Sequence, residues 1–305
     1  MWVYLLIFFV VYMALILAGW RLMTAVARRD RPRDAILDRA YRENDYDPYQ
    51  AERELNWVEE QQPEAVSIHP VRAPRLSAYE IPAPGHRWVL LLHDYGTDAR
   101  YTGSYARWFH EKGYRLLLID GRGCGRSEGK YLGLGGADRY DLEEWIRYVR
   151  QRDGEAEIVL FGLGSGGSAA LLCAVDGAPV KGVIADSAYA GLQEAVMAHL
   201  MARLGAMTKV IANFADAEYA VLNGMKNSWK RADLWRQIQR CTIPLLLIHG
   251  EEDYFFPVRH FEVLTEKVTA PLQTLRVAGA GHIACAHRDP EGYWQAVETY
   301  LDSLN

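Results

Sequence analysis

Ile158-Val159-Leu160-Phe161-Gly162-Leu163-Gly164-Ser165-Gly166-Gly167 is the stretch from which the rest of the chain can be read. An apolar run enters a glycine-dense turn, and a small-residue stretch, Ser168-Ala169-Ala170-Leu171-Leu172, leaves it. That is the strand–turn–helix context in which G-x-S-x-G presents a nucleophile at a sharp bend. Glycines flank such a bend because its backbone is strained and neighbouring Cβ atoms would collide. The motif puts serine two residues after its first glycine. Here Gly164 holds that position, and serine comes one residue later, at Ser165.

Outward from this turn, strand-like and helix-like segments alternate, which predicts an α/β fold with a mostly parallel sheet covered by helices. Expected strands are 65–68, 76–81, 88–92, 116–119, 158–161, 180–185, 244–248 and 272–277, the first two a leading pair. Expected helices are 104–112, 141–150 and 293–301, with Leu142, Trp145, Ile146 and Val149 on one face of the second. Between about 187 and 241 the alternation stops. Leu192, Val196, Met197, Leu200, Met201 and Leu204 recur at helical spacing, followed by Met207, Trp229 and Trp235. This reads as a helical insertion, a lid over the carboxyl edge of the sheet, where ligands bind in open α/β folds. The plainer reading is added core packing.

Residues 1–20 carry no charged side chain and are nearly all apolar, the length of a membrane-spanning helix. Arg21, Arg28, Arg29, Arg31 and Arg33 follow. A cleaved signal peptide would need a basic n-region and a shorter apolar run. The expectation is therefore an uncleaved transmembrane anchor over 1–22 and a juxtamembrane segment over 23–63. The globular domain then occupies 64–305. The basic flank places that domain in the cytoplasm by the positive-inside rule. A net charge of −5 leaves no electrostatic footprint for nucleic acid. Cys124, Cys173, Cys241 and Cys285 are scattered without a C-x-x-C pair, so they read as reduced thiols.

From about Ala65 onward the chain resembles an α/β-hydrolase, closest to the serine aminopeptidase-like, membrane-anchored bacterial members. The residues carrying the resemblance occur in order. Leu91-Leu92-His93-Asp94-Tyr95-Gly96 is similar to the H-G-x-G strand end beside the oxyanion hole. Asp120-Gly121-Arg122-Gly123-Cys124-Gly125-Arg126-Ser127-Glu128-Gly129 resembles the D-x-R-G-x-G-x-S-x-G loop. The elbow comes next. His249-Gly250-Glu251-Glu252-Asp253 with Pro257 is similar to the acid loop, and Val277-Ala278-Gly279-Ala280-Gly281-His282 to the histidine loop. The resemblance implies His282 as base, Asp253 as orienting acid, and backbone N–H groups of Tyr95 and of the residue after the apex as oxyanion donors.

Two departures fall on the reacting centre. Gly164 has no nucleophilic side chain, and Asp94 stands where the family has glycine, so a carboxylate would face a developing oxyanion. Two readings stay open. In one the elbow slips by one residue, Ser165 is the nucleophile and Gly166 supplies the oxyanion N–H. The protein then cleaves an ester or amide in a small-molecule or peptide substrate, a lipid-like one fitting the anchor and apolar lid. In the other the fold is kept without serine chemistry, and the domain binds a ligand or partner at the membrane surface. No cofactor is expected. The glycines at 121, 123 and 125 lack G-x-G-x-x-G spacing, and no metal site is expected because His282 and His287 lack the H-E-x-x-H arrangement.

Overall fold

The computed structural model describes residues 1–29, 56–71, 73–197, 205, 207–222 and 229–304. Its centre is an eight-stranded sheet in the order β1-β2-β4-β3-β5-β6-β7-β8. The strands are β1 (Glu64–Ile68), β2 (Leu76–Ile81), β3 (Arg87–Leu92), β4 (Arg115–Asp120), β5 (Glu157–Leu163), β6 (Gly182–Asp186), β7 (Leu245–Gly250) and β8 (Leu272–Val277). β1 and β2 pair antiparallel, β2 joins β4 antiparallel, and every other pairing is parallel. The helices are α1 (Trp2–Ala27), α2 (Gly103–Glu111), α3 (Asp138–Arg152), α4 (Ser165–Val175), α5 (Met207–Leu222), α6 (Arg259–Lys267) and α7 (Pro290–Asp302).

Continuous apolar runs in β3 to β7 follow from burial on both faces. Successive side chains alternate between two cores. Trp88, Leu90, Leu92, Leu117 and Ile119 join the cluster under α3 and α4. Val89, Leu91, Leu116 and Leu118 join the one that holds Phe109, Tyr293 and Val297 of α2 and α7. Because β3, β5, β7 and β8 run parallel, their carboxyl ends share one edge. The loops bearing Asp94, Gly164, Asp253 and His282 leave from that edge.

α1 is long and apolar enough to cross a membrane, with a mean hydropathy of 2.4 over its most apolar window. Residues 1–14 are exposed. Its last turns are part of the domain, burying Leu22, Met23 and Ala27 in the core. α5 lies along it so closely that a Cβ on Gly19 would sit 2.6 Å from Cβ of Phe214. The chain past α1 is latched to the loop after β4. Leu132 N–H donates to Ala27 O (2.7 Å), and Arg29 donates to the carbonyls of Gly125 and Ser127 (both 2.7 Å).

The expected insertion is helical over 192–197 and in α5, with 3₁₀ turns between Trp229 and Arg240. Trp229, Leu234 and Ile238 are buried, so this part of it is core packing. Leu200, Met201 and Leu204 of the expected lid, and most of the expected juxtamembrane segment, lie outside the described residues.

Candidate active site

β5 ends at Leu163, and the bend falls on Gly164, whose φ of 52° and ψ of −116° precede a helix that starts at Ser165. A positive φ with that ψ is disfavoured for residues bearing a Cβ, so glycine relieves the strain at this point. The elbow therefore bends at Gly164 and not one residue later. Gly162 and Gly166 serve the packing around it. A Cβ on Gly162 would lie 2.4 Å from Gly166 O, and one on Gly166 2.5 Å from His93 O. α4 thus starts against the ends of β3 and β5.

Asp94 fills the space that an elbow side chain would take. A Cβ built on Gly164 would lie 1.9 Å from Oδ1 of Asp94. That oxygen accepts the backbone N–H of Ser165 at 2.7 Å, and Oδ2 meets Nε2 of His282 at 3.0 Å. Nδ1 of His282 meets Oδ2 of Asp253 at 2.8 Å. Oδ1 of Asp253 accepts the N–H groups of Phe255 and Phe256 at 2.8 and 2.7 Å. Asp94, His282 and Asp253 are all buried. Each carboxylate therefore gives one oxygen to the imidazole and the other to backbone N–H, which compensates burial of the charges.

Burial alone would pull the His282 pKa down, but Asp253 and Asp94, by charge and by hydrogen bond, outweigh it and lift it to about 10. An imidazolium donating from both nitrogens has no lone pair with which to take a proton from a hydroxyl. Rings of Phe255 and Phe256 lie 4.8 and 5.0 Å from that of His282 and close its surroundings to water.

The supporting contacts are local. His93 Nδ1 donates to Asp94 O (2.7 Å) and its Nε2 accepts Gly121 N–H (3.0 Å), fixing the start of the Asp94 loop. Ser187 at the end of β6 accepts the N–H of Ile283 (3.0 Å) and donates to Asp186 (2.9 Å), which holds the loop carrying His282. The Tyr95 hydroxyl donates to Val26 O at 2.6 Å, tying this loop to α1.

Comparison with known proteins gives this geometry its context. Residues 83–226 match the model of the serine aminopeptidase family S33. The uncharacterized protein YqkD of Bacillus subtilis (strain 168) is 25% identical over 223 residues, 71% of this chain and 72% of that one. The uncharacterized protein YfhR of Escherichia coli (strain K12) is 27% identical over 223 residues, 70% and 71% of the two chains. Among solved structures, the esterase Pf2001 of Pyrococcus furiosus superposes with a TM-score of 0.62 at 21% identity, over 80% of this chain and 93% of that one. A membrane phospholipase A described as a bacterial virulence factor gives 0.60 at 15% identity, over 84% and 91%. The chain has the α/β-hydrolase fold.

Set beside the hydrolase pattern, the structure brings Asp253 and His282 together as the sequence resemblance implies. It brings Ser165 to the same place by its backbone. The N–H that reaches the site is therefore that of Ser165, not Gly166, because the bend precedes both. Tyr95 stands beside the site with its side chain turned to α1. Sequence reasoning flagged Asp94 as an electrostatic conflict and missed its part as occupant. The signal was present in the pair of departures: a side chain lost at 164 and one gained at 94. Ser187 left no signal at all. Among the described residues, no group of three or more His, Cys, Asp or Glu could hold a metal ion.

Proposed function

We propose that this chain is a membrane-anchored α/β-hydrolase-fold protein that works by binding at the membrane surface and does not carry out serine hydrolysis. The carboxylate of Asp94 in the place of the elbow side chain, on the Ser165 N–H and on His282, is the observation that carries this reading. Serine chemistry needs a hydroxyl, an imidazole able to accept its proton, and an empty N–H pocket for the oxyanion. Here the first is missing at the bend, the second is held as imidazolium, and the third is filled. α1 serves as the anchor, with the arginines after it on the cytoplasmic side. Protease added outside intact cells is then expected to spare the domain.

A fluorophosphonate probe tests the reading. The folded, full-length protein is expected to show no mass adduct by intact mass spectrometry. An adduct mapped to Ser165 and lost in Ser165→Ala would overturn the proposal.

A second reading is favoured by one feature. Asp94 has one oxygen on a backbone N–H and the other beside His282, so the carboxylate itself can attack an electrophilic carbon. Attack by Oδ2 would open an epoxide or displace a halide with the bonding electrons and form an Asp94 ester, the imidazolium giving its Nε2 proton to the departing alkoxide or, with a halide, to solvent. Loss of the carboxylate charge would lower the His282 pKa, and its freed Nε2 could take a proton from water attacking the ester carbonyl. Water carrying ¹⁸O distinguishes the readings: a single turnover on an epoxide or alkyl halide would leave ¹⁸O in Asp94, and binding alone would leave none.

A further inference from the structure

A second cavity of about 250 Å³ lies where α1 ends, separated from the Asp94 site by the Tyr95–Gly96 turn. Arg28 and Arg29 from the end of α1 line it, with Tyr95 and Thr97 from the loop after β3 and Cys124 and Gly125 from the loop after β4. We propose that this cavity binds the phosphate group of a glycerophosphate, presented by an anionic phospholipid of the leaflet that α1 enters. The inference deepens the proposed binding function and rests on its membrane reading.

The charge at the cavity is the first argument. The Arg29 guanidinium is directed at the carbonyls of Gly125 and Ser127. Carbonyls orient a guanidinium without cancelling its charge, so a full positive charge stays at the wall. Asp98, an acid in the lining, is held by Arg100 at 2.9 Å and therefore adds little net negative charge. Planar guanidinium donors suit a phosphate better than a compact ammonium would.

Depth is the second argument. Arg21 is the first charged residue of the chain, and Arg28 and Arg29 follow it by seven and eight positions. At 1.5 Å per residue they lie about 10–12 Å beyond it along the axis, less where the helix is tilted. The headgroup layer is about 5–8 Å thick on each side of the hydrocarbon core. The cavity mouth is thus a few Å outside the headgroup layer when the helix is upright, reaches its outer edge where the helix is strongly tilted, and stays beyond the acyl chains in either case. A volume of about 250 Å³ has room for a glycerophosphate and none for a diacyl tail.

Cys124 reports on occupancy, since it lines the cavity, while Cys173, Cys241 and Cys285 are buried in the core. The full-length chain in dodecyl maltoside micelles, which contain no phosphate, is alkylated with N-ethylmaleimide, and Cys124 modification is followed by peptide mapping. Phosphatidylglycerol added to the micelles is expected to slow modification at least fivefold. Soluble glycerol 3-phosphate is tested in a separate arm. Protection by it alone, with none from phosphatidylglycerol, overturns the lipid source; protection by neither overturns the site. Arg29→Gln should abolish protection and Arg29→Lys should keep part of it, because the ammonium retains the charge and loses the planar donor fork. Equal loss in both variants, with unchanged thermal melts, would assign Arg29 to latching the loop only and overturn the proposal.

Discussion

Gly164 and Asp94 occupy one site between them: a Cβ on Gly164 would lie 1.9 Å from the Asp94 carboxylate that touches His282. A side chain at either position excludes one at the other. The two departures from the hydrolase pattern are therefore a single exchange, in which the polar group facing the imidazole comes from β3 instead of the elbow.

Restoring the elbow serine by itself should consequently fail. Gly164→Ser forces a Cβ into the carboxylate and is expected to lower stability by about 1–3 kcal/mol in urea unfolding, the usual range for overpacking. The paired variant Asp94→Gly/Gly164→Ser removes the overlap and should recover much of that loss. It is also the variant expected to form a fluorophosphonate adduct, at residue 164. A fully additive loss in the pair would show that the two positions do not compete.

Asp94→Asn keeps the shape and removes the charge. Loss of a hydrogen bond to a charged, buried group predicts a destabilisation of about 2–3 kcal/mol at pH 7. The His282 pKa should move down at the same time, since Asp94 is one of the groups that raise it. Denaturation together with a histidine titration of the variant checks both.

Stability should fall as the solution is made alkaline. The folded-state pKa of His282, about 10, is above the ordinary value of 6.5. A raised pKa means the folded state binds the proton more tightly. Its contribution is then fully present below about pH 6.5 and is lost progressively as pH rises through 10. The difference in unfolding free energy between the native protein and His282→Gln should shrink over that window. A flat difference from pH 6 to 10 would contradict the assignment.

The anchor and α5 should respond as a pair. Gly19→Val places two methyl groups where one Cβ already comes within 2.6 Å of Phe214. α1 and α5 would have to separate, and limited proteolysis of the detergent-solubilised chain should cut near α5 faster than in the native protein. Trp20→Val, on the exposed face of α1, should leave the rate unchanged.

Much of the sheet could be read from the chain because both of its signals are local. β2 and β8 coincide with their expected spans, and β3 to β7 lie within three residues of theirs, since apolar runs between turn residues define buried strands. α6 was not read; its apolar positions are sparse, with His260, Phe261 and Leu264 facing inward. At the site, Asp253 and His282 could be read because their loops resemble the acid and histidine loops of α/β-hydrolases. The occupant of the nucleophile's place was not read, although the paired departures at 94 and 164 marked it. Asp94 and Gly164 are far apart in sequence, and only the parallel pairing of β3 with β5 brings their ends together.

The most direct test of the account is the ionisation of His282. Full-length protein labelled with ¹⁵N-histidine is titrated from pH 6 to 10, with His282→Gln used to assign the ring resonances. Both ring nitrogens of His282 are expected to carry protons throughout neutral pH, with titration beginning only above pH 9. A His282 that titrates near 6.5, with Nε2 unprotonated at pH 8, would contradict it.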